Sequence, residues 1–260
     1  MQDKGFDFPQ TLCLNEVMNI LITAGGTSEP IDEVRTITNS ATGRLGSLVA
    51  DACAAREEFA KIFYVCGQQA LRPVSERVTV CPILGTLDLQ ETCTKILKEE
   101  KIDAIVHSMA VSDYLVESVT TLSELAKVLS AGAEGEEELH RLFNEAALKD
   151  FHKLSSSLKS PVLLLKQTPK VLSGFRALAP EAQIIGFKLL SQVSEEELFD
   201  VASALLKKND CNYVLANDGA KIHGDSHPAM LIDREGQVRH YTTKQEIAAG
   251  IVETLLEGKK

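Results

Sequence analysis

Residues 22–46 read ITAGGTSEPIDEVRTITNSATGRLG. The run leading into them, MNILITAGG (18–26), is apolar and ends in two glycines, as expected of a buried strand leaving a sheet through a tight turn. GRLGSLVADACAAREEF (43–59) then carries apolar residues at helical spacing, with small residues for close packing. No GxGxxG links the two; a polar loop intervenes. Gly25 and Gly26 let backbone approach a ligand closely. Gly43 and Gly46 flank a helix start whose amides can hold an anion, Asn39, Ser40 and Thr42 add neutral donors ahead of it, and Arg35 and Arg44 add positive charge. The pattern suits a phosphate-binding turn; a capped helix behind an ordinary polar loop is the alternative.

Working outward, KIFYVCG (61–67) reads as a second buried strand, LDLQETCTKILKEEK (87–101) as an amphipathic helix and IDAIVHSMAV (102–111) as a third strand. This alternation predicts an α/β, Rossmann-like open sheet, mainly parallel, with right-handed crossovers and helices on both faces. Residues 120–160 are polar, acidic and rich in Ala, Ser and Gly, with helical stretches but no strong strand, and suggest a flap or dimerisation arm over about 115–160. The sheet is expected to resume at PVLLLKQ (161–167), followed by a helix at 169–178, QIIGFKL (183–189), a helix at 195–209 and CNYVLAN (211–217). A hairpin at 230–242 turning at Glu235-Gly236 and a helix at 244–260 close the chain. Residues 18–260 thus read as a single ligand-binding domain, and residues 1–17 as a peripheral extension without the basic start and long apolar core of a signal peptide.

A chain of 260 residues, 44% apolar, can bury a substantial core. No run of eighteen apolar residues suggests a membrane span, and a formal charge of −10 argues against a general nucleic-acid-binding surface. The six cysteines are scattered without CxxC, as expected of reduced thiols in a cytoplasmic protein. His223, Asp225 and His227 lie in HGDSH and suggest zinc, but no third strong ligand is near in sequence; the segment reads as a loop and no metal site is assigned.

In an open parallel sheet, ligands collect at the carboxyl ends of strands. The distinctive polar groups fall there: Thr27 after the first strand, Ser112, Asp113 and Tyr114 after the third, then Lys188, Asn217 and Asp218.

The opening motif resembles that of the phosphopantothenoylcysteine synthetase (phosphopantothenate–cysteine ligase) family. The likeness continues in order through MAVSDY (109–114), KLSSS (153–157), LKQTPKVL (165–172), IIGFKLL (184–190) and VLANDG (214–219). It is closest to the monofunctional bacterial type, because no flavin-dependent decarboxylase domain precedes Met18. The resemblance implies that CTP, or ATP, with Mg²⁺ activates the carboxylate of 4′-phosphopantothenate as an acyl-nucleotide, and that cysteine then displaces the nucleotide to form an amide on the route to coenzyme A. It implies catalytic roles for Asn39 and for Lys153 at the base of a mobile flap. Substrate is then expected at Asn39, Ser40, Thr42, Gly43 and Arg44, and nucleotide at Gly25, Gly26, Ser108, Met109, Ala110 and Asp113. Pro169, Lys170, Val171, Leu172 and Phe187 are further nucleotide contacts, joined by Lys207 or Lys208. The family commonly has two alanines where this chain has Met109-Ala110. A homodimer is implied, with the flap of one subunit able to complete the partner's site. The alternative, an NAD(P)-dependent oxidoreductase, lacks both GxGxxG and an acidic residue after the second strand, which ends KIFYVCGQQA.

Overall fold

The structure, a computed structural model, describes residues 17–130, 132, 135–148 and 152–258. Of the extension expected at 1–17, only Val17 falls within them. In chain order the elements are β1 (Met18–Ala24), β2 (Ser28–Pro30), β3 (Thr36–Thr38), α1 (Arg44–Ala54), β4 (Phe59–Gly67), β5 (Val78–Ile83), α2 (Thr86–Glu99) and β6 (Ala104–His107). They continue with β7 (Tyr114–Thr121), α3 (Leu122–Ser130), α4 (Glu136–Glu145), β8 (Pro161–Gln167), α5 (Val171–Leu178) and β9 (Gln183–Leu190). Last come α6 (Glu195–Lys208), β10 (Tyr213–Asp218), β11 (Ser226–Asp233), β12 (Val238–Thr243) and α7 (Lys244–Glu257).

The central sheet runs β12-β11-β10-β9-β6-β1-β4-β5. Strands β5 to β10 are parallel in this order, and β11 and β12 add antiparallel at one edge. The chain leaves β1 toward β4 on one side and later returns to β6 on the other. The carboxyl ends of β1 and β6 therefore flank the point where strand order reverses, which opens a crevice.

Consecutive residues on one strand feed opposite faces. Ile20, Ile22 and Ala24 join Val49, Ala50, Ile247 and Ile251 in the layer under α1 and α7. Leu21 points the other way, into the layer of α2, α5 and α6 with Leu89, Phe175 and Leu198. Burial on both faces is why these strands read as unbroken apolar runs. Each such side chain contributes roughly 1.5–3 kcal/mol by leaving water.

Four points of the sequence reading are corrected. PVLLLKQ does not rejoin the central sheet; β8 pairs antiparallel with β7 in a separate two-stranded sheet. Its apolar run is only partly covered, with Leu165 42% exposed, so apolarity alone misplaced it. The arm does contain a strand, since β7 leaves the site loop and continues to Thr121. Strand β5 went unrecognised because Thr79 and Pro82 break its apolar pattern. The helix expected over 43–59 ends at Ala54, and β4 already begins at Phe59.

Candidate active site

The loop after β1 is a short hairpin rather than irregular chain, with Ser28, Glu29 and Pro30 pairing Thr38, Ile37 and Thr36. Its root is fixed by a buried polar network. The Thr27 hydroxyl accepts from the Ser112 amide at 2.9 Å, and the Glu29 carboxylate accepts from the Thr86 amide at 2.8 Å and the Thr86 hydroxyl at 2.7 Å. Glu29 is 3% exposed and sits at the start of α2, where helix amides favour a carboxylate. Ala110 donates to the Gly25 carbonyl at 2.8 Å, tying the β6 loop to the turn after β1.

Gly26 is not a cleft residue, although a nucleotide contact was expected of it. A Cβ there would lie 2.0 Å from the Asn39 carbonyl oxygen, so the glycine lets the returning hairpin pass. Asn39 itself donates from Nδ2 to the Ala110 carbonyl at 3.2 Å. It does not cap α1, and like Gly26 it is not among the residues that line the cleft; Ala110, which it holds, is. The N-cap of α1 is Gly43, at φ 72 and ψ 1, with no side-chain cap. The Arg44 amide reaches Thr42 Oγ1 at 3.4 Å, and the Leu45 and Gly46 amides have no partner among the described residues. An uncapped helix start of this kind leaves amide donors able to meet an anion.

These amides open into a cleft of about 680 Å³ at the carboxyl edge of the sheet. One wall is Gly25, Ser40, Thr42, Gly43 and Arg44. The floor carries Ser108, Met109 and Ala110 after β6, with Asp113 beyond them. The opposite wall is Pro169, Lys170, Val171 and Leu172 at the start of α5, with Phe187 and Lys188 from β9 and Asn217 from β10. Phe187 packs against the core cluster and also lines the cleft. Lys208 lines the cleft and Lys207 does not. Lys170 pairs with Asp113 across the mouth, both ends well exposed.

Two expected groups are spent elsewhere. Asp218 accepts from the Gln192 and Ala220 amides and caps the turn after β10. Lys153 is exposed and does not line the cleft of its own chain. Its segment is held on the β2–β3 hairpin: Leu154 donates to Asp32 Oδ2 at 2.9 Å, Arg35 Nη2 donates to the Leu154 carbonyl at 2.9 Å, and Glu33 donates to the His152 carbonyl at 3.0 Å. Leu154 and the hairpin amides hold the Asp32 carboxyl below its usual range.

The sequence reading missed His107, Thr168, His227 and Lys244 as lining residues. His107 is buried, shares a 2.7 Å hydrogen bond between Nδ1 and Thr23 Oγ1, and stands edge-on to Phe175 with centroids 5.2 Å apart. Burial pushes its pKa down to about 4, so it is a neutral fixture of the floor. HGDSH, read as a loop, delivers His227 into the cleft at the start of β11. No cluster of three or more His, Cys, Asp or Glu suited to a metal occurs among the described residues, and no helix there is long and apolar enough to cross a membrane.

Residues 16–128 and 143–258 match the family described as DNA/pantothenate metabolism flavoprotein C-terminal domain. The chain belongs to that family. A crystal structure of the DNA/pantothenate metabolism flavoprotein from Streptococcus pneumoniae is 34% identical, with a TM-score of 0.80, over 93% of this chain and all of that one. The C-terminal domain of the coenzyme A biosynthesis bifunctional protein CoaBC shares the fold, at 21% identity and a TM-score of 0.67, over 94% of this chain and 98% of that one. The CoaBC of Methanocaldococcus jannaschii is 28% identical over 90% of this chain and 49% of its own length. This chain therefore spans about half the length of the curated relatives it matches.

Proposed function

We propose that this protein is a phosphopantothenate–cysteine ligase of coenzyme A biosynthesis. The observation that carries the reading is the convergence, on one cleft, of the uncapped start of α1 with the opening motif and with Asp113, Phe187 and Lys208. Membership of the family and the coenzyme A role in the names of the CoaBC relatives support it. The nucleotide is CTP or ATP, its base and sugar against Met109, Asp113 and Phe187 and its phosphates toward the α1 amides, with phosphopantothenate along Ser40, Thr42, Gly43 and Arg44. Mg²⁺ comes in mainly on those phosphates, consistent with an ion that keeps water and takes few protein ligands.

The carboxylate of 4′-phosphopantothenate attacks the α-phosphorus, the bond to the bridging oxygen breaks, and pyrophosphate leaves with the electron pair. The amine of cysteine then attacks the acyl carbon, loses a proton to solvent and releases the nucleoside monophosphate. Charge accumulates on phosphate oxygens, so fixed amide dipoles and cations lower the barrier. Asn39 supplies a neutral amide beside the reacting centre; its Nδ2 already points at the floor strand's loop. Lys153 supplies an ammonium group. Its position on the arm, outside its own cleft, favours a homodimer in which the arm of one subunit completes the site of the other. The free, mostly buried thiols among the described residues fit a reducing, cytoplasmic setting.

No observation favours the oxidoreductase alternative. Strand β4 ends in Cys66-Gly67, with no carboxylate placed for a ribose. Incubation with 4′-phosphopantothenate, cysteine, Mg²⁺ and either CTP or ATP should release pyrophosphate and form 4′-phosphopantothenoylcysteine. No release with either nucleotide, together with NADPH binding, would overturn the reading.

A further inference from the structure

At the end of the cleft where β11 and α7 begin, two buried polar groups lack the partners that burial demands. His227 is 7% exposed and both its ring nitrogens are without a hydrogen-bond partner. Lys244 is 9% exposed; its ammonium donates to the Gly224 carbonyl, and no carboxylate lies within ion-pair distance of it among the described residues. A buried cation without a counter-ion and an imidazole without a partner are each costly, and a native fold keeps such groups where a ligand satisfies them. Both line the cleft that holds the open α1 amides.

The local structure aims them together. Ser226 pairs with Thr243 across β11 and β12, and the Lys244 amide reaches the Asp225 carbonyl. Arg44, the first residue of α1, forms an ion pair with Asp225 at 3.3 Å. One short segment thus joins the starts of α1 and α7 and places His227 beside Lys244. The start of α7 adds little of its own, because Thr243 already caps it by accepting from Glu246. The demand for an anion comes from the two side chains.

We propose that His227 and Lys244 seat the β- and γ-phosphates of the nucleotide and retain them as the departing pyrophosphate. The assignment rests on the ligase reading above and adds to it two contacts for the leaving group. When the α-phosphorus bond breaks, the electron pair departs on pyrophosphate, and a cation there stabilises the charge as it develops. Burial, with the Lys244 charge second, pushes the His227 pKa down to about 4, so the ring is neutral at physiological pH and has one N–H to donate to a phosphate oxygen.

The test is calorimetric titration of inorganic pyrophosphate into the full chain and into His227→Leu and Lys244→Gln, with the nucleoside monophosphate as a control ligand. Losing a hydrogen bond to a charged group should weaken pyrophosphate binding roughly tenfold or more in each variant. Monophosphate binding should be unchanged. Because the ring nitrogens have no protein partner, His227→Leu should melt no lower than the parent, which a structural histidine would not allow. If His227→Leu does not fold, Lys244→Gln carries the same measurement on a different element. Pyrophosphate bound as tightly by the variants as by the parent overturns the assignment, even if the parent proves an active ligase. Pyrophosphate binding weakened in both variants, with no ligase activity in the parent, would instead uphold the anion seat and overturn the ligase reading.

Discussion

Gly43→Ala should be among the most damaging small substitutions in this protein. Residue 43 is the N-cap of α1 and sits in the left-handed region at φ 72, which costs an L-residue about 1–2 kcal/mol. The new Cβ would also stand 2.9 Å from the Ala70 Cβ, closer than carbon atoms pack, and overpacking of this kind costs about 1–3 kcal/mol. Together the two effects destabilise the fold by about 2–5 kcal/mol, a drop of roughly 4–20 °C in melting temperature for a chain of this size. The two parts can be separated. Ala70→Gly removes the clash and leaves the backbone strain, so in the Gly43→Ala background it should restore roughly 1 kcal/mol more than its effect in the parent predicts. Urea unfolding followed by circular dichroism suits a chain without tryptophan. The α1 amides should at the same time bind pyrophosphate less well, because a rotated N-cap turns them away from the cleft. A Gly43→Ala unfolding curve that overlays the parent's, or a penalty untouched by Ala70→Gly, would refute the reasoning.

Lys153→Gln should abolish pyrophosphate formation and leave the melting temperature unchanged, since the side chain is exposed; near-normal turnover would remove Lys153 from the mechanism. Asn39→Asp places a carboxylate 3.2 Å from the Ala110 carbonyl oxygen, so the barrier should rise by roughly 1–3 kcal/mol, read as a lower kcat; an unchanged rate would reduce Asn39 to a spacer. Asp32 tethers the Lys153 segment as a carboxylate. Its folded pKa lies below the ordinary value, so the tether contributes fully above the unfolded pKa, about 3.9, and is lost as pH falls through the lower folded value. At neutral pH, Asp32→Ala should therefore speed hydrogen exchange at the Leu154 amide and lower kcat, whereas unchanged protection would show that the hairpin does not hold the segment.

The sheet was legible because most of its strands are buried on both faces and its helices are not. Ile20 to Ala24, Ile184-Ile185 and Val214-Leu215 each serve both layers, and such runs are hard to mistake. PVLLLKQ has the same look without the same burial, and only its pairing partner β7, far off in sequence, tells the two apart. Much of the site was legible through its motifs. Spacing alone pointed to the open start of α1, since Gly43 and Gly46 mark it, and resemblance supplied Asp113, Lys170 and Phe187, all of which line the cleft. What stayed hidden depends on tertiary approach. Gly26 looks like a ligand glycine but faces the Asn39 carbonyl, and the register of Lys207 against Lys208 on α6 follows only once the helix is packed. His227 sat in a motif that invited a metal; its meaning emerged from unmet hydrogen bonds in a buried place, which no spacing records.

The central claim is that this cleft activates a carboxylate on a nucleotide α-phosphorus. It is tested most directly by withholding cysteine, supplying 4′-phosphopantothenate, Mg²⁺ and CTP or ATP, and weighing the enzyme-bound products by mass spectrometry. A species with the summed mass of phosphopantothenate and nucleoside monophosphate, less one water, appearing with one pyrophosphate each, is the expected result. Absence of both the adduct and pyrophosphate, in a protein that binds the nucleotide in this cleft, would contradict it.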